Sequence, residues 1–199
     1  MYLSELTGVP EPALPVAALK DHLRLGRGFS DDDVQDALLV QYLRAALAAI
    51  EARTGKVLLA RGFRWRLTRW RDATSQALPV APVQSVEALR LIDADGAETV
   101  IDPVRYALEP DAHRPRLRPE AALLPAIPSR GAAEIEFTAG FGAGWSDVPA
   151  DLAQAVLLLG AEYHDRRLAA DAGAPAMPFG VLALIERWRT IRLIGGGAR

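Results

Sequence analysis

The 199-residue chain contains no cysteine, and lysine occurs only at positions 20 and 56. Without thiols, disulfides, zinc–thiolate sites and cysteine nucleophiles are excluded. No apolar run approaches the roughly 20 residues that a membrane-spanning helix needs. The first residues, MYLSELTGVPEP, have neither the basic start nor the apolar core of a secretory signal. The sequence therefore predicts a soluble protein without membrane association, made in the cytoplasm.

Acidic and basic residues nearly cancel, with a formal net charge of −2 at pH 7. That balance argues against a protein whose whole surface binds nucleic acid. The basic residues are almost all arginine, however, and one group of them lines one face of a predicted strand in GFRWRLTRWR. We interpret this group as solvated or intersubunit ion-pairing residues, or as a local surface that faces DNA. It comprises Arg64, Arg66, Arg69 and Arg71.

Two segments have the periodicity of long helices. Ser30, followed by three aspartates, is typical of a helix N-terminus, and that helix should run to Thr54, with Gly55 as its stop. A second long helix is predicted from Pro149 to about Ala169. Both are apolar on more than one side, which is typical of buried helices or of helices between subunits. Shorter helices are predicted near the two ends of the chain, in PVAALKDHLRL and VLALIERWRTIRLI.

Between the long helices the apolar pattern changes to a period of two. GFRWRLTRW alternates, with Phe63, Trp65 and Leu67 on the side expected to be buried. SVEALRLID and AETVI flank the turn DADG and predict a hairpin. RYALE and AAEIEFTA indicate further strands, whereas the proline-rich stretch HRPRLRPEAALLPAIPSR indicates loop or short edge pieces.

These patterns predict an α+β chain built as a helical bundle. Two long helices and shorter N- and C-terminal helices would form the bundle, and a small antiparallel β insertion would lie between the long helices. We expect one domain over residues 1–199, with a helical core at 15–56 and 145–193 and the β insertion at 57–144. Residues 194–199, rich in glycine, are expected to be a flexible tail.

Three glycines, Gly140, Gly142 and Gly144, stand between a predicted strand and a predicted helix, where a nucleotide phosphate could bind. A dinucleotide fingerprint has the spacing G-x-G-x-x-G inside a βαβ unit, and here the spacing differs and no strand follows. A P-loop needs a lysine after its last glycine, and no lysine lies beyond Lys56. We therefore interpret the glycines as a turn that needs backbone freedom, and we expect no cofactor.

No catalytic or metal-ligating pattern stands out in the sequence. His22, His113 and His164 each lack the i, i+4 partner that marks a metal site on a helix. Glu162, His164 and Asp165 are the best acid–base candidates, but helical spacing places His164 away from the face of Glu162 and Asp165. We therefore predict that the protein is not an enzyme and binds no metal.

The order of these segments is itself informative, because a Thr-Gly pair ends the first long helix and FTAGFG precedes VPADL. From about residue 12 to residue 193 the chain resembles the head–tail connector proteins, also called adaptor or head-completion proteins, of HK97-like tailed phages, prophages and gene transfer agents. No single motif carries this resemblance; it rests on the order and spacing of PVAALKDHLRL, the capped helix from SDDDVQDALL, FRWRL, LPVAPVQSVEAL, the DADG hairpin, EIEFTAGFG, VPADLAQAVLLLGAEYHDRR and PFGVLALIERWRTIRL.

What the resemblance implies is a structural role in a virion or phage-like particle, at the junction of capsid and tail. Such proteins form a homo-oligomeric ring, usually a dodecamer, beneath the portal protein, and the ring receives a stopper or tail-completion protein. DNA passes through the ring without sequence-specific binding. In similar proteins the C-terminal helix and tail engage the portal, which here points to Leu184, Ile185, Trp188, Arg189, Ile191, Arg192 and Leu193.

Two other functions stay open at this point. The arginine-rich β region would suit a nucleic-acid-binding accessory protein, and DNA affinity of the isolated monomer that falls with salt would support it. A stopper or tail-end component would share the particle but occupy a different position in it. The family resemblance favours the ring adaptor over both.

Overall fold

The structure is a computed structural model that describes residues 2–25, 32–166 and 177–189. The described residues contain four α-helices: α1 (Val16–His22), α2 (Asp32–Thr54), α3 (Ala150–Arg166) and α4 (Phe179–Ile185). Helix α3 packs between α2 and α4, and α1 packs against α2 and α3. Helix α2 ends where the sequence predicts, because Gly55 has a φ of 69° and donates its N–H to the carbonyl oxygen of Glu51. None of the helices in these ranges is long and apolar enough to cross a lipid bilayer.

The helices share one hydrophobic cluster. Each contributes the apolar side that faces its neighbours, and Leu58 and Leu59, directly before the first long strand, complete the cluster from the sheet side. Helices α2 and α3 are apolar on several sides because each contacts more than one partner. The helical members include Leu19, Leu39, Leu43, Ile50, Leu152, Val156, Leu159, Val181 and Ile185.

The described residues also contain eight strands in two sheets. They are β1 (Tyr2–Glu5), β2 (Arg61–Leu67), β3 (Gln76–Ala77), β4 (Val83–Ile92), β5 (Glu98–Val100), β6 (Tyr106–Glu109), β7 (Arg116–Pro119) and β8 (Ala132–Ala139). The larger sheet has the order β1-β2-β8-β4-β5 and the smaller has the order β3-β7-β6. Every neighbouring pair of strands is antiparallel.

The sheets enclose a second hydrophobic cluster, separate from the helical one. Phe63, Trp65 and Leu67 of β2 are buried in it, as their alternation predicts. The ring of Phe63 stacks on Phe137 of β8 with 5.7 Å between centroids. Leu117 of β7 brings the smaller sheet into the same cluster. The β region therefore has a core of its own.

The α+β class is correct, but the prediction of a helical bundle with two long helices and a small β insertion is wrong. Two antiparallel sheets with eight strands, and a core between them, make up as much of the architecture as the helices do. Helices α1 and α4 are only seven residues each and cannot complete a bundle of long helices. Periodicity identifies single strands, but it does not show that distant strands gather into sheets large enough to enclose a core.

Two segments differ from their sequence-based predictions. The proline-rich stretch supplies β7, which is the central strand of the smaller sheet, because Pro115 precedes the strand and Pro119 is its last residue. The C-terminal helix ends at Ile185 and continues as one 3₁₀ turn, so the predicted helix is shorter than VLALIERWRTIRLI suggests.

The glycine turn after β8 brings two backbone segments into close contact. The N–H of Ala60 donates a 2.7 Å hydrogen bond to the carbonyl oxygen of Gly142. Gly140 has a φ of 136°, and a Cβ added to it would lie 2.4 Å from the Cα of Ala60. Glycine is needed there for close approach and for a left-handed backbone, which agrees with the interpretation of the motif as a turn.

Candidate functional site: a charged sheet face and an anchored C-terminal segment

The larger sheet presents one row of paired residues that crosses all five strands. Directly opposed residues in antiparallel strands point to the same face of a sheet. The row therefore lies on the face opposite the buried side chains of Phe63 and Trp65, which we call the outer face. In spatial order the row is Tyr2, Arg66, Glu134, Arg90 and Val100.

Arginine and glutamate alternate across the outer face and form an ion-pair network. Arg64 donates from Nε and Nη2 to Oε1 of Glu136 at 3.0 and 2.6 Å, and its Nε lies 3.3 Å from Glu134. Arg90 lies 3.0 Å from Glu136 and 3.8 Å from Glu134. Hydrogen bonds from Arg90 and Arg64 hold the pKa of Glu136 below its usual value, and the same contacts raise the pKa values of both guanidinium groups. The network balances positive and negative charge across three strands.

The four arginines singled out from the sequence do not form one basic patch. Arg64 is engaged by Glu134 and Glu136, whereas Arg66, Arg69 and Arg71 are exposed and make no ion pair within the described ranges. The last two follow β2 in a loop. An outer face with paired charges attracts a phosphate backbone less than its arginine content suggests, because the glutamates offset the field.

Arg61 is a buried charged residue that sequence reasoning missed. It is 7% exposed and donates from Nη1 and Nη2 to Glu51 at 3.0 and 2.6 Å, and from Nη2 to Glu5 at 2.9 Å. Burial alone would lower the pKa of Arg61, but the hydrogen bonds and charges of Glu51 and Glu5 outweigh it and raise that pKa above its usual value. The cluster ties the end of α2 to β2 and β1. The alternation along β2 could have revealed this burial, because Arg61 lies two residues before the buried Phe63 and therefore on the same face of the strand.

The C-terminal segment folds back onto the start of α3. The indole Nε1 of Trp188 donates a 2.7 Å hydrogen bond to Oδ2 of Asp151, and Nε of Arg187 lies 2.7 Å from the same oxygen. The Trp188 ring also meets the Phe141 ring edge to face, with 5.4 Å between centroids. These contacts fix the position of Trp188 against the start of α3.

The residues predicted to dock on the portal have different environments. Ile185 is fully buried in the helical cluster, Leu184 is half-buried, and Trp188 is held by Asp151. Arg189 is exposed and pairs with Glu186 at 3.0 Å. The remaining three, Ile191, Arg192 and Leu193, lie outside the described residues.

The acid–base candidates do not converge on one site. Nδ1 of His164 lies 3.1 Å from Oδ1 of Asp165, and its ring meets Tyr42 edge to face. Glu162 pairs with Arg166, one helical turn further on. Within the part of the chain that the structure describes, no group of three or more histidine or acidic residues is placed to hold a metal ion.

Three solved structures match the chain over 98% of its length and 99% of their own. The neck of an empty GTA particle, computed with C6 symmetry, has 58% identity and a TM-score of 0.89. The neck of a native GTA particle, computed with C12 symmetry, has 55% identity and a TM-score of 0.85. The virion of a native gene transfer agent (GTA) particle has 58% identity and a TM-score of 0.87. No protein-family model and no curated protein matches.

The fold and these matches define a structural protein of a particle neck, a head–tail connector of the virion. The chain belongs to the family of neck proteins of gene transfer agent particles. The sixfold and twelvefold symmetry of the neck structures supports a multi-subunit ring for members of this family. The resemblance noted from the sequence is confirmed.

Proposed function

We propose that twelve copies of this chain form a ring adaptor that joins the portal at the capsid vertex to the tail and extends the DNA channel. The observation that carries the proposal is the match along nearly the whole chain to a particle neck computed with C12 symmetry. In this role the protein positions its neighbours and performs no chemical step. Its partners are the portal protein on one side and a stopper or tail-completion protein on the other.

The C-terminal segment is the part of the subunit that we assign to the portal. Trp188 is fixed on α3 by Asp151, which gives Trp188 and Arg189 a defined position. The exposed side chain of Arg189 and the partly exposed sides of Leu184 and Trp188 lie there. Ile185 does not contact the portal directly in this proposal; it is buried in the helical cluster and holds α4 against α3. The segment beyond Arg189, with Ile191, Arg192 and Leu193, supplies the direct contacts in this proposal.

The outer face of the larger sheet supports passage of DNA without tight binding. Arg64 and Arg90 are each shared between Glu134 and Glu136, so their charges are offset within the subunit. A ring that bound phosphates strongly through unpaired arginines would hold the DNA that must pass it. At Arg64 and Arg90 the pairing therefore favours the ring adaptor over the DNA-binding accessory protein.

Mixing the purified chain with its cognate portal and imaging the product by electron microscopy tests this function. A matched variant ends after Arg189; a shorter truncation before Val181 would remove Val181 and Ile185 from the core and confuse docking with folding. We expect a ring on the portal with the full chain and no ring with the truncated chain, which stays folded. If the full chain does not bind the portal but binds a tail-side component, the protein is a stopper. If it binds DNA with a steep salt dependence instead, the protein is the accessory protein.

A further inference from the structure

We propose that the subunits of the ring contact each other through the two edges of the larger sheet, with the β4–β5 edge of one subunit against the β1–β2 edge of the next. This inference rests on the proposed ring. We call the first surface the acidic hairpin, residues 93–105, and the second the arginine flank, which consists of Tyr2, Arg66, Arg69 and Arg71.

The acidic hairpin projects from the subunit. Residues 94–100 and 102–105 are all exposed, and two large apolar side chains are among them, Val100 at 65% and Val104 at 75% exposure. Its charged residues are Asp93, Asp95, Glu98, Asp102 and one cation, Arg105. The nearest internal partner of Glu98 is Arg90, at 4.0 Å. The hairpin thus combines excess negative charge with apolar surface that no described residue of the subunit covers.

The arginine flank has the opposite character. Arg66, Arg69 and Arg71 are exposed and have no ion pair within the described ranges, although Asp72 follows them and is engaged by Thr74. Tyr2 lies opposite Arg66 in the sheet and is 71% exposed, so this surface also offers an apolar side chain beside its charges. Opposite charges and apolar side chains on both surfaces make the two surfaces complementary.

The sheet places these two surfaces where neighbouring subunits of a ring can meet. Tyr2 and Val100 occupy the two ends of one row across the sheet, on its outermost strands. Leu67 and Ile92 are paired with adjacent residues at the start of β8, so the loop with Arg69 and the hairpin turn extend from the same end of the sheet. The two surfaces therefore lie on opposite sides of the subunit and at a similar level along the strands.

Unlike surfaces on opposite sides of a subunit lead to a head-to-tail contact, and such contacts close into rings when the rotation between subunits allows it. Contact between two acidic hairpins, or between two arginine flanks, would bring like charges together. The charge pattern therefore favours the ring over a twofold dimer, and a second copy of the chain is the partner that fits both surfaces.

The absence of cysteine allows a direct test by crosslinking. Tyr2→Cys and Val100→Cys are introduced together and separately into the chain, and assembled particles are treated with a short bismaleimide before denaturing electrophoresis. The double variant should give a ladder of covalent oligomers that extends towards the full ring. Each single variant should give no crosslink, whereas two single variants expressed together should stop at dimers.

A second cysteine pair separates failure of this inference from failure of the ring. Ala52→Cys on α2 and Ala183→Cys on α4 occupy exposed positions on the two outer helices of the helical layer. If this pair gives a ladder and Tyr2→Cys with Val100→Cys gives none, the result supports the ring but contradicts the proposed contact between sheet edges. Dimers from Val100→Cys alone would overturn it too, since they would show a twofold contact. Particles whose neck lacks the chain altogether would instead contradict the proposed function.

Charge reversal gives an independent readout of the same contact. Glu98→Arg should reduce incorporation of the chain into necks by about tenfold, because every interface in the ring repeats the repulsion. Arg66→Glu in the same chain should restore incorporation. Glu11→Arg, a reversal at an exposed position outside both surfaces, is the matched control and should have little effect. If Arg66→Glu does not restore incorporation, and the unmodified chain binds DNA through these arginines in a salt-dependent way, the arginine flank is a DNA-binding surface and the inference is wrong.

Discussion

The indole of Trp188 donates a hydrogen bond to the carboxylate of Asp151, 37 residues earlier in the chain. This bond closes the last described turn onto the first turn of α3. It fixes the short C-terminal helix against α3. In the proposed portal contact, a docking surface held in place in this way loses less conformational freedom on binding than a mobile helix would lose.

Replacing Asp151 by alanine should lower the free energy of unfolding by about 1.5–3 kcal/mol, the usual range for a hydrogen bond to a charged group. Trp188→Phe keeps an aromatic ring but removes the indole N–H donor, so it should produce most of the same loss of unfolding free energy. Arg187→Ala, which removes only the exposed ion pair with Asp151, is the control and should cost less. Urea unfolding of the three variants measures these differences. Equal losses for Arg187→Ala and Trp188→Phe would contradict the assignment of Trp188 as the anchor.

Arg61→Met should destabilise the protein by about 3–5 kcal/mol, because it leaves the carboxylate of Glu51 with an uncompensated charge in a buried position. Methionine preserves much of the apolar stem, so the loss reports the charge more than the packing. Arg64→Met removes a guanidinium from an exposed network and should cost clearly less. Denaturant unfolding at neutral pH makes the comparison. Similar losses for the two variants would show that Arg61 is no more important than a surface arginine.

The pH dependence of stability should include a contribution from Glu136. Its pKa in the folded protein lies below the usual value of 4.5, so folding is favoured by this group above that value. The contribution is lost as the pH falls through the folded-state pKa. Glu136→Gln should therefore be less stable than the unmodified chain at pH 7, and the gap should shrink below about pH 4.5.

Unfolding free energies at pH 7 and pH 3 measure that gap. Glu98→Gln removes a carboxylate from the same sheet but without hydrogen bonds from two arginines, so its gap should change less with pH. A gap for Glu136→Gln that widens on acidification would contradict a lowered pKa of Glu136 in the folded protein.

Gly140→Ala should destabilise the fold, whereas Gly144→Ala should be tolerated. Alanine at 140 would adopt a strained φ and place its Cβ against the backbone of Ala60, at a cost of at least about 1–3 kcal/mol. Gly144 has a φ of −103°, and its nearest neighbour to an added Cβ is the Asp147 carboxylate at 3.5 Å. Thermal unfolding compares the two. A stable Gly140→Ala variant would mean that the turn has freedom the structure does not show.

Local features of this chain follow from its sequence, and long-range ones do not. Gly55 ends α2, and Phe63, Trp65 and Leu67 are buried, because local backbone preferences and a period of two determine these features. The pairing of β1 with β2, and of β3 with β7, joins segments far apart in the sequence. No local pattern reveals those pairings, which is why the sequence predicts a helical bundle with only a small β insertion and not two sheets with a core of their own.

The candidate site was predictable to a similar extent. The sequence predicts a strand face lined with arginines, but only the register shows that Glu134 lies between Arg66 and Arg90 and that Glu136 engages Arg64. Trp188 was expected to serve a partner, and the structure places it on Asp151 within its own subunit. The family resemblance rests on the order of many short segments along the chain. It is therefore correct although the predicted helical bundle is wrong.

The central claim is that this protein joins head to tail, and deletion tests it most directly. A producing cell that lacks only this chain should release DNA-filled heads without tails, visible by electron microscopy, and the unmodified chain supplied separately should restore tailed particles. The chain truncated after Arg189 should fail to restore them although it folds. Tailed particles of normal appearance in the complete absence of the chain would contradict the account.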